Sequence, residues 1–221
     1  MDNGNDRVRE WMSQERLEFL KQCPKPCGEI GRKVGEEMNL HHRELREWGF
    51  SYIKFKQNYT VLDAGCGGGD TISRLVALCP QGKIYGIDYS DEMVRLASEN
   101  NAEAIKSGHV KIQNASVSSL PFSDSFFDMV SALETTYFWP DLDATLKEIH
   151  RVMKKNAVFT MINETYMNEK FRMEIEELHR LIDLKVYTPE EYESFFSKAG
   201  FSNIKIHTVE EKNWLALSAV K

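Results

Sequence analysis

The stretch VLDAGCGGGD, residues 61–70, runs an apolar strand straight into a turn in which four of six residues are glycine. Glycine in an ordered segment costs roughly 0.5–1 kcal/mol per position in chain entropy. A turn of that cost is explained if a ligand must lie against bare backbone. The residues after it read as a helix, whose free N–H groups would face the same space and favour negative charge.

Outward from this turn, strands and helices alternate. Val61–Ala64 reads as a short buried strand, and Asp70–Cys79 as a helix with Ile72, Leu75 and Val76 on one face. Lys83–Asp88 is a second strand. Asp91–Ser107 is a helix capped by Ser90, with Met93, Val94, Ala97 and Ile105 inward. Val110–Asn114, Phe126–Leu133 and Ala157–Ile162 are three further strands, and Leu142, Leu146, Ile149 and Met153 stripe the helix before the last of them. A charged helix over 168–184 follows. TPEE at 188–191 is a capping box with Thr188 as N-cap, Pro189 at the first helical position and Glu191 three after the cap; Gly200 ends that helix. Residues 203–208 and 214–220 form two last strands across the polar stretch 210–213. Upstream, an amphipathic helix over 6–21 carries Val8, Trp11, Met12, Leu17 and Leu20, Pro24 and Pro26 break it, and a second helix over 29–49 ends at Gly49. The alternation predicts a doubly wound, mostly parallel α/β sheet. The last two strands are too closely joined for a parallel crossover and predict an antiparallel hairpin at the sheet edge. Residues 1–58 are then an N-terminal helical extension or lid, and residues 59–221 the ligand-binding domain.

The chain has 221 residues, 42% hydrophobic and 11% aromatic, enough for one domain with a full core. Its net charge of −6, from 28 basic and 34 acidic residues, argues against a nonspecific nucleic-acid coat. No apolar stretch reaches membrane-spanning length and residues 1–10 do not read as a signal peptide, so a cytoplasmic address with no membrane partner is expected. CPKPC at 23–27 leaves a disulfide, a metal half-site or two thiols open by spacing. No second Cys/His pair stands near it at zinc spacing, so no metal is expected and Cys23 and Cys27 read as reduced thiols in a Pro-stiffened linker. Cys66, inside the glycine turn, reads as a small apolar filler.

A dinucleotide site wants G-x-G-x-x-G. Counted from Gly65, the third glycine position is Asp70. The chain instead offers Asp63-Ala-Gly65-Cys-Gly67-Gly68-Gly69. This D-x-G-x-G-x-G after a strand resembles the first motif of class I S-adenosylmethionine-dependent methyltransferases, of the small-molecule, type 11-like branch. In the same order, GIDYS (86–90), SVSSLPFSDSFFDMV (116–130), ALETTYFWP (132–140) and YTPEEYESFFSKAGF (187–201) resemble later segments of that family. The resemblance implies a seven-stranded Rossmann-like methyltransferase fold. It implies methyl transfer from S-adenosylmethionine to a small-molecule acceptor by in-line displacement, driven mainly by positioning and leaving S-adenosylhomocysteine.

It also implies roles. Asp63 and the backbone of Gly65 and Gly67 would hold the methionine end, and Asp88 both ribose hydroxyls. Tyr89 and Met93 would pack on the adenine. Ser116 and Val117 would meet the adenine edge; Ser116 stands where many members carry an acid, and Asn114 competes with it. Glu134 would line the amino end, and with Tyr137, Phe138 and Trp139 it follows the fourth strand toward the acceptor. KKNA (154–157) replaces the family's usual Pro-Gly-Gly turn, which Asn156 suits because asparagine tolerates a left-handed backbone. MNLHHRELREWGF (38–50) folds over the same mouth; His41 and His42 are adjacent, so only one can point inward. Tyr137 and His42 are the candidate catalytic groups. KEIHRVMKK (147–155) reads as a solvated basic helix face.

Blander roles compete: Asp63 capping its turn, Asp88 capping the helix at 91, Met93 as core. Two other functions also stand beside this one. An NAD-linked oxidoreductase uses the same sheet type, but the third glycine is absent and the Tyr52/Lys56 pair precedes the glycine turn. A non-catalytic module binding the nucleoside cofactor is the other. The acceptor atom and the oligomeric state are not written in the residues.

Overall fold

The computed structural model describes residues 13–221. Helix α1 (Gln14–Gln22) starts where the Ser13 hydroxyl accepts the Arg16 N–H at 3.2 Å. It is the later part of the helix expected over 6–21; Val8, Trp11 and Met12 lie outside the described residues. The single helix expected over 29–49 is two, α2 (Gly28–His41) and α3 (Arg43–Phe50). His42 leaves helical geometry at φ −83°, ψ 2°, which redirects the chain so that α3 lays Leu45 and Phe50 on the sheet. Gly49 does not end that helix. It sits inside α3, where a Cβ would collide with Ile162.

The sheet contains β1 (Thr60–Ala64), β2 (Lys83–Asp88), β3 (Val110–Asn114), β4 (Phe127–Leu133), β5 (Met153–Asn163), β6 (Ser202–Val209) and β7 (Trp214–Val220). Their spatial order is β3-β2-β1-β4-β5-β7-β6. The first five are parallel. β7 inserts antiparallel between β5 and β6, with Thr160 opposite Ser218. The expected fold and edge hairpin are therefore present. Strand residues alternate between two cores because successive side chains point to opposite faces. Val61, Ile84 and Met129 join Ile72 and Leu75 of α4 (Asp70–Leu78) and Ala97 of α5 (Asp91–Asn100). Leu62, Val130 and Phe159 join Leu146 and Ile149 of α7 (Leu142–Val152) and Tyr192 and Phe196 of α9 (Pro189–Lys198). Between these, α6 (Ala102–Lys106) follows α5 and α8 (Arg172–Ile182) precedes α9.

Several boundaries differ from the sequence pattern. The helix expected over 91–107 divides at Asn101, whose buried amide donates to the Gly69 carbonyl at 3.0 Å and so serves the glycine turn as well as the helix. Met153 does not extend the stripe of α7; it opens β5, which runs longer than the expected Ala157–Ile162. Asn156 takes the left-handed backbone at φ 64°, near the bulge opposite Phe127 and Met129. The charged segment enters α8 through a short 3-10 turn, Glu169–Phe171. The Thr188 capping box forms with both of its hydrogen bonds, at 3.2 and 2.8 Å.

All four cysteines are free thiols, with Cys23 and Cys27 at the two ends of the linker between α1 and α2. In the basic segment, Arg151 is held by Glu148 and Asp124 within the chain. No described helix is long and apolar enough to cross a membrane.

Candidate active site

Strand order reverses around β1, which pairs with β2 on one side and β4 on the other. Open α/β sheets bind ligands at such a switch point, beyond the carboxyl ends of the strands. The glycine turn lies there. The N–H groups of Gly65 and Cys66 both donate to the Ile87 carbonyl at 2.9 Å, tying the turn to β2. Gly65 has φ +80°, and a Cβ on it would overlap Thr135. Gly67 has φ +48°, yet a Cβ there would meet nothing within 4 Å. Gly65 is thus fixed by packing, whereas Gly67 leaves backbone bare in front of open space.

Two carboxylates frame that space. Asp63, 1% exposed, accepts the Ser131 hydroxyl at 2.7 Å from the paired position on β4. Burial raises its pKa from 3.8 to about 7, against the pull of Ser131 and of the Arg46 charge. Asp88, 8% exposed, ends β2 and accepts the N–H groups of Gly67 at 3.0 Å and Ser90 at 2.9 Å. Burial raises its pKa too, although these hydrogen bonds favour the charged form. Ser90, not Asp88, caps α5, accepting the Met93 N–H at 3.2 Å. The Ser90 hydroxyl also donates to the Pro26 carbonyl and the Tyr89 hydroxyl to the Pro24 carbonyl, fastening the Pro-rich linker beside the cleft.

All nine residues expected around the cofactor border this one cleft: Asp63, Gly65, Gly67, Asp88, Tyr89, Met93, Ser116, Val117 and Glu134. Met93 is also packed as core, against α2 at Gly35. Asn114 is outside the cleft, with its amide on Asp91 at 2.9 Å. The segment 38–50 does cover the mouth, through Met38, Asn39, His42 and Arg46. Arg46 went unnoticed in the sequence. It is buried, pairs with Asp70 and Glu47, and its charge lowers the Asp63 pKa. The available signal was its spacing from His42, Gly49 and Phe50, which puts a lone cation on the inward face of a helix.

A second cavity adjoins the first and shares Cys23, Met38, His42, Glu134 and Phe138 with it. Tyr137 borders only this second space. Its hydroxyl donates to Glu134 Oε1 at 2.9 Å and accepts the Thr165 N–H at 3.0 Å, and burial holds its phenol well above the usual range. Of the adjacent histidines, His42 points inward and His41 outward. Glu164, just past β5, joins them and was also missed. The rule that ligands gather at the carboxyl ends of parallel strands would have flagged it.

The residues fit the cofactor that the resemblance implies. A buried carboxylate with no full counter-charge suits an ammonium, bare backbone at Gly67 admits a close ligand, and Asp88 is a two-oxygen acceptor at the right strand end. The N-terminus of α4 suits a pyrophosphate poorly, because Asp70 places a carboxylate there, clamped by Arg43 and Arg46.

Comparison with known proteins agrees. The methyltransferase-domain family matches residues 55–212. Demethylmenaquinone methyltransferase of Geobacillus stearothermophilus is 37% identical over 118 residues, 53% of this chain and 50% of that protein. 24-Methylenesterol C-methyltransferase 3 of Arabidopsis thaliana is 27% identical over 170 residues, 77% of this chain and 44% of that protein. The chain thus spans about half the length of the curated relatives it matches. The crystal structure of a SAM-dependent methyltransferase from Aquifex aeolicus superposes with a TM-score of 0.70 at 22% identity, over 86% of this chain and 97% of that one. With its matched segment covering the glycine turn, both framing carboxylates and the whole parallel sheet, this chain belongs to the S-adenosylmethionine-dependent class I methyltransferases.

Proposed function

We propose that this chain transfers a methyl group from S-adenosylmethionine to a small-molecule acceptor, with residues 59–221 holding the donor and residues 1–58 acting as a lid. The observation that carries the reading is Asp63, a carboxylate buried beside bare glycine backbone and raised to about 7 by that burial, which the Arg46 charge only partly offsets. An ammonium group placed there would restore its ordinary acidity. Asp63 then holds the amino group and the backbone of Gly65 and Gly67 the rest of the methionine end. Asp88 accepts the ribose hydroxyls, exchanging its present backbone partners for them. Tyr89, Met93, Ser116 and Val117 bound the adenine, and Glu134 closes the amino end. Arg46 extends this set with a cation for the donor's carboxylate.

When bound, the donor supplies an activated methyl group on a sulfonium whose leaving thioether is neutral. The protein therefore need not protonate a leaving group. Its work is to hold an acceptor atom in line and to exclude water, and placement of that kind supplies roughly 7–11 kcal/mol. The lid suits this: Met38, Asn39, His42 and Arg46 all reach the cleft from residues before β1. The relatives' names support a small-molecule acceptor, a methylenesterol in one and a demethylmenaquinone in another. The net charge of −6 supports the same choice over nucleic acid.

Competition calorimetry separates this from the rivals. S-adenosylhomocysteine is expected to bind and NADH not to bind. Binding of NADH alone would establish the oxidoreductase reading. Binding of S-adenosylhomocysteine with no methyl transfer across a broad acceptor panel would establish the binding module.

A further inference from the structure

We propose that the second cavity is the acceptor chamber, that the acceptor is a largely apolar phenol or enol, and that Nε2 of His42 takes its hydroxyl proton. This rests on the methyltransferase reading above. The chamber and the cofactor cleft share lining from His42 and Glu134, which puts these two side chains at the boundary where donor and acceptor would have to meet. Away from that wall the chamber is lined by Phe19 and Leu20 of α1 and by Leu178 and Ile182 of α8. Such walls take apolar bulk, and a few convergent polar groups set the orientation. Here those groups stand at the shared end.

Their arrangement suits the uptake of one proton. His42 is only 12% exposed, and burial lowers its pKa, so its imidazole is neutral near pH 7. Its Nε2 lies 4.0 Å from Glu164 Oε2 and 3.9 Å from Glu134 Oε2. Burial and the Glu164 charge raise Glu134 well above the carboxylate range, making it the protonated member of the pair. Burial raises Glu164 as well, but its hydrogen bond to His41, with the His41 and Arg16 charges, outweighs this and holds its pKa below the ordinary carboxylate value. His41, with 71% of its side chain exposed, sits 3.0 Å from the same Glu164 oxygen and opens that oxygen to solvent. Among the described residues, the other groups facing His42 and this chamber are few. Arg16 and Glu37 bring one charge of each sign, burial holds the Cys23 thiol neutral with a pKa of about 11, and the Tyr137 hydroxyl is spent on Glu134.

A protonated His42 is therefore stabilised by Glu164, and His41 gives the proton a way out. During transfer the acceptor–methyl bond forms as the sulfur–methyl bond breaks, its electron pair staying on sulfur, while the hydroxyl proton moves to His42. Attack through oxygen gives a methyl ether. Attack through the conjugated carbon is followed by loss of that carbon's proton and return of the O–H, so one proton leaves per methyl in either case. The charges also choose the acceptor. An alkyl amine would enter as an ammonium, its lone pair blocked, and an aryl amine, uncharged at neutral pH, is a weaker donor to the His42 lone pair than a phenol. An alkyl hydroxyl holds its proton too tightly for imidazole, whereas a phenol loses it at about 10, within reach of concerted transfer.

The test uses the full chain loaded with S-adenosylhomocysteine and titrated calorimetrically with 1-naphthol, naphthalene and 1-naphthylamine. We expect 1-naphthol to bind at least tenfold tighter than either isostere. Leu178→Trp, which fills the chamber, should abolish that binding and leave S-adenosylhomocysteine binding intact. With the methyl donor, His42→Gln should lower turnover of 1-naphthol by a hundredfold or more, remove the acidic limb of the pH–rate profile and change naphthol affinity less than threefold. Three outcomes overturn the inference while leaving the methyltransferase reading standing: no naphthol binding by cofactor-loaded protein, preference for the amine, or turnover that requires an added divalent cation, which would engage the His42 lone pair. Failure of S-adenosylhomocysteine itself to bind would remove the methyltransferase reading as well.

Discussion

Replacing Asp63 by Asn should stabilise the ligand-free protein and abolish its response to ligand. Asn keeps an oxygen to accept the Ser131 hydroxyl, so the change removes charge and little else. Asp63 has a pKa of 3.8 unperturbed and about 7 when folded. The acid is raised, so the folded state holds a proton that the unfolded state has lost between these values. Stability contributed by this group is therefore greatest below about pH 4 and falls as pH rises toward 7. Three units at 1.36 kcal/mol each give a destabilisation of about 4 kcal/mol above pH 7, absent in the Asn variant. Urea unfolding of both proteins from pH 4 to pH 9 reads this directly. The two curves should meet near pH 4 and separate to about 4 kcal/mol in favour of Asn by pH 8. S-adenosylhomocysteine, which brings an ammonium to the carboxylate, should raise the melting temperature of the wild type only. Its binding at pH 6.5 should release protons. A stability difference independent of pH, or undiminished ligand affinity in the variant, would refute the reasoning.

Three further outcomes follow from the same geometry. Gly65→Ala forces a Cβ into Thr135 at positive φ and should lower stability by about 1–3 kcal/mol, read by denaturant midpoint. Asp88→Ala leaves the Ser90 cap of α5 in place and should weaken S-adenosylhomocysteine binding a hundredfold or more by calorimetry, with the helical circular dichroism signal unchanged. Thr188→Ala removes the capping box far from the cleft and should cost about 1 kcal/mol in urea unfolding while leaving ligand affinity alone.

What the sequence disclosed was local. The glycine turn, the Ser90 cap and the Thr188 box are written in neighbouring residues, and the parallel sheet follows from strands and helices that alternate in period. The breaks at His42 and Asn101 carry no proline or glycine; they form because distant groups reward them. Asn101 serves the Gly69 carbonyl, 32 positions away, and His42 turns inward toward Glu164. Met153 kept a helical spacing with Ile149 but opens β5, because the strand register against Phe127 decides its place. The cofactor cleft was legible because its residues sit at the ends of the first strands and in the segments just after them. The second chamber was not, because it draws α1, α2, α8 and the ends of β4 and β5 together, and no local spacing records that meeting.

The central claim is that Asp63 and the bare turn hold the methionine end of the donor while Asp88 holds its ribose. A crystal structure of the chain grown with S-adenosylhomocysteine at pH 8 tests it most directly. The expected map places the ligand's amino group within hydrogen-bond reach of Asp63 and both ribose hydroxyls on the Asp88 carboxylate. A ligand seated elsewhere, or a cleft left empty at saturating S-adenosylhomocysteine with Asp88 still bonded to Gly67, would contradict it.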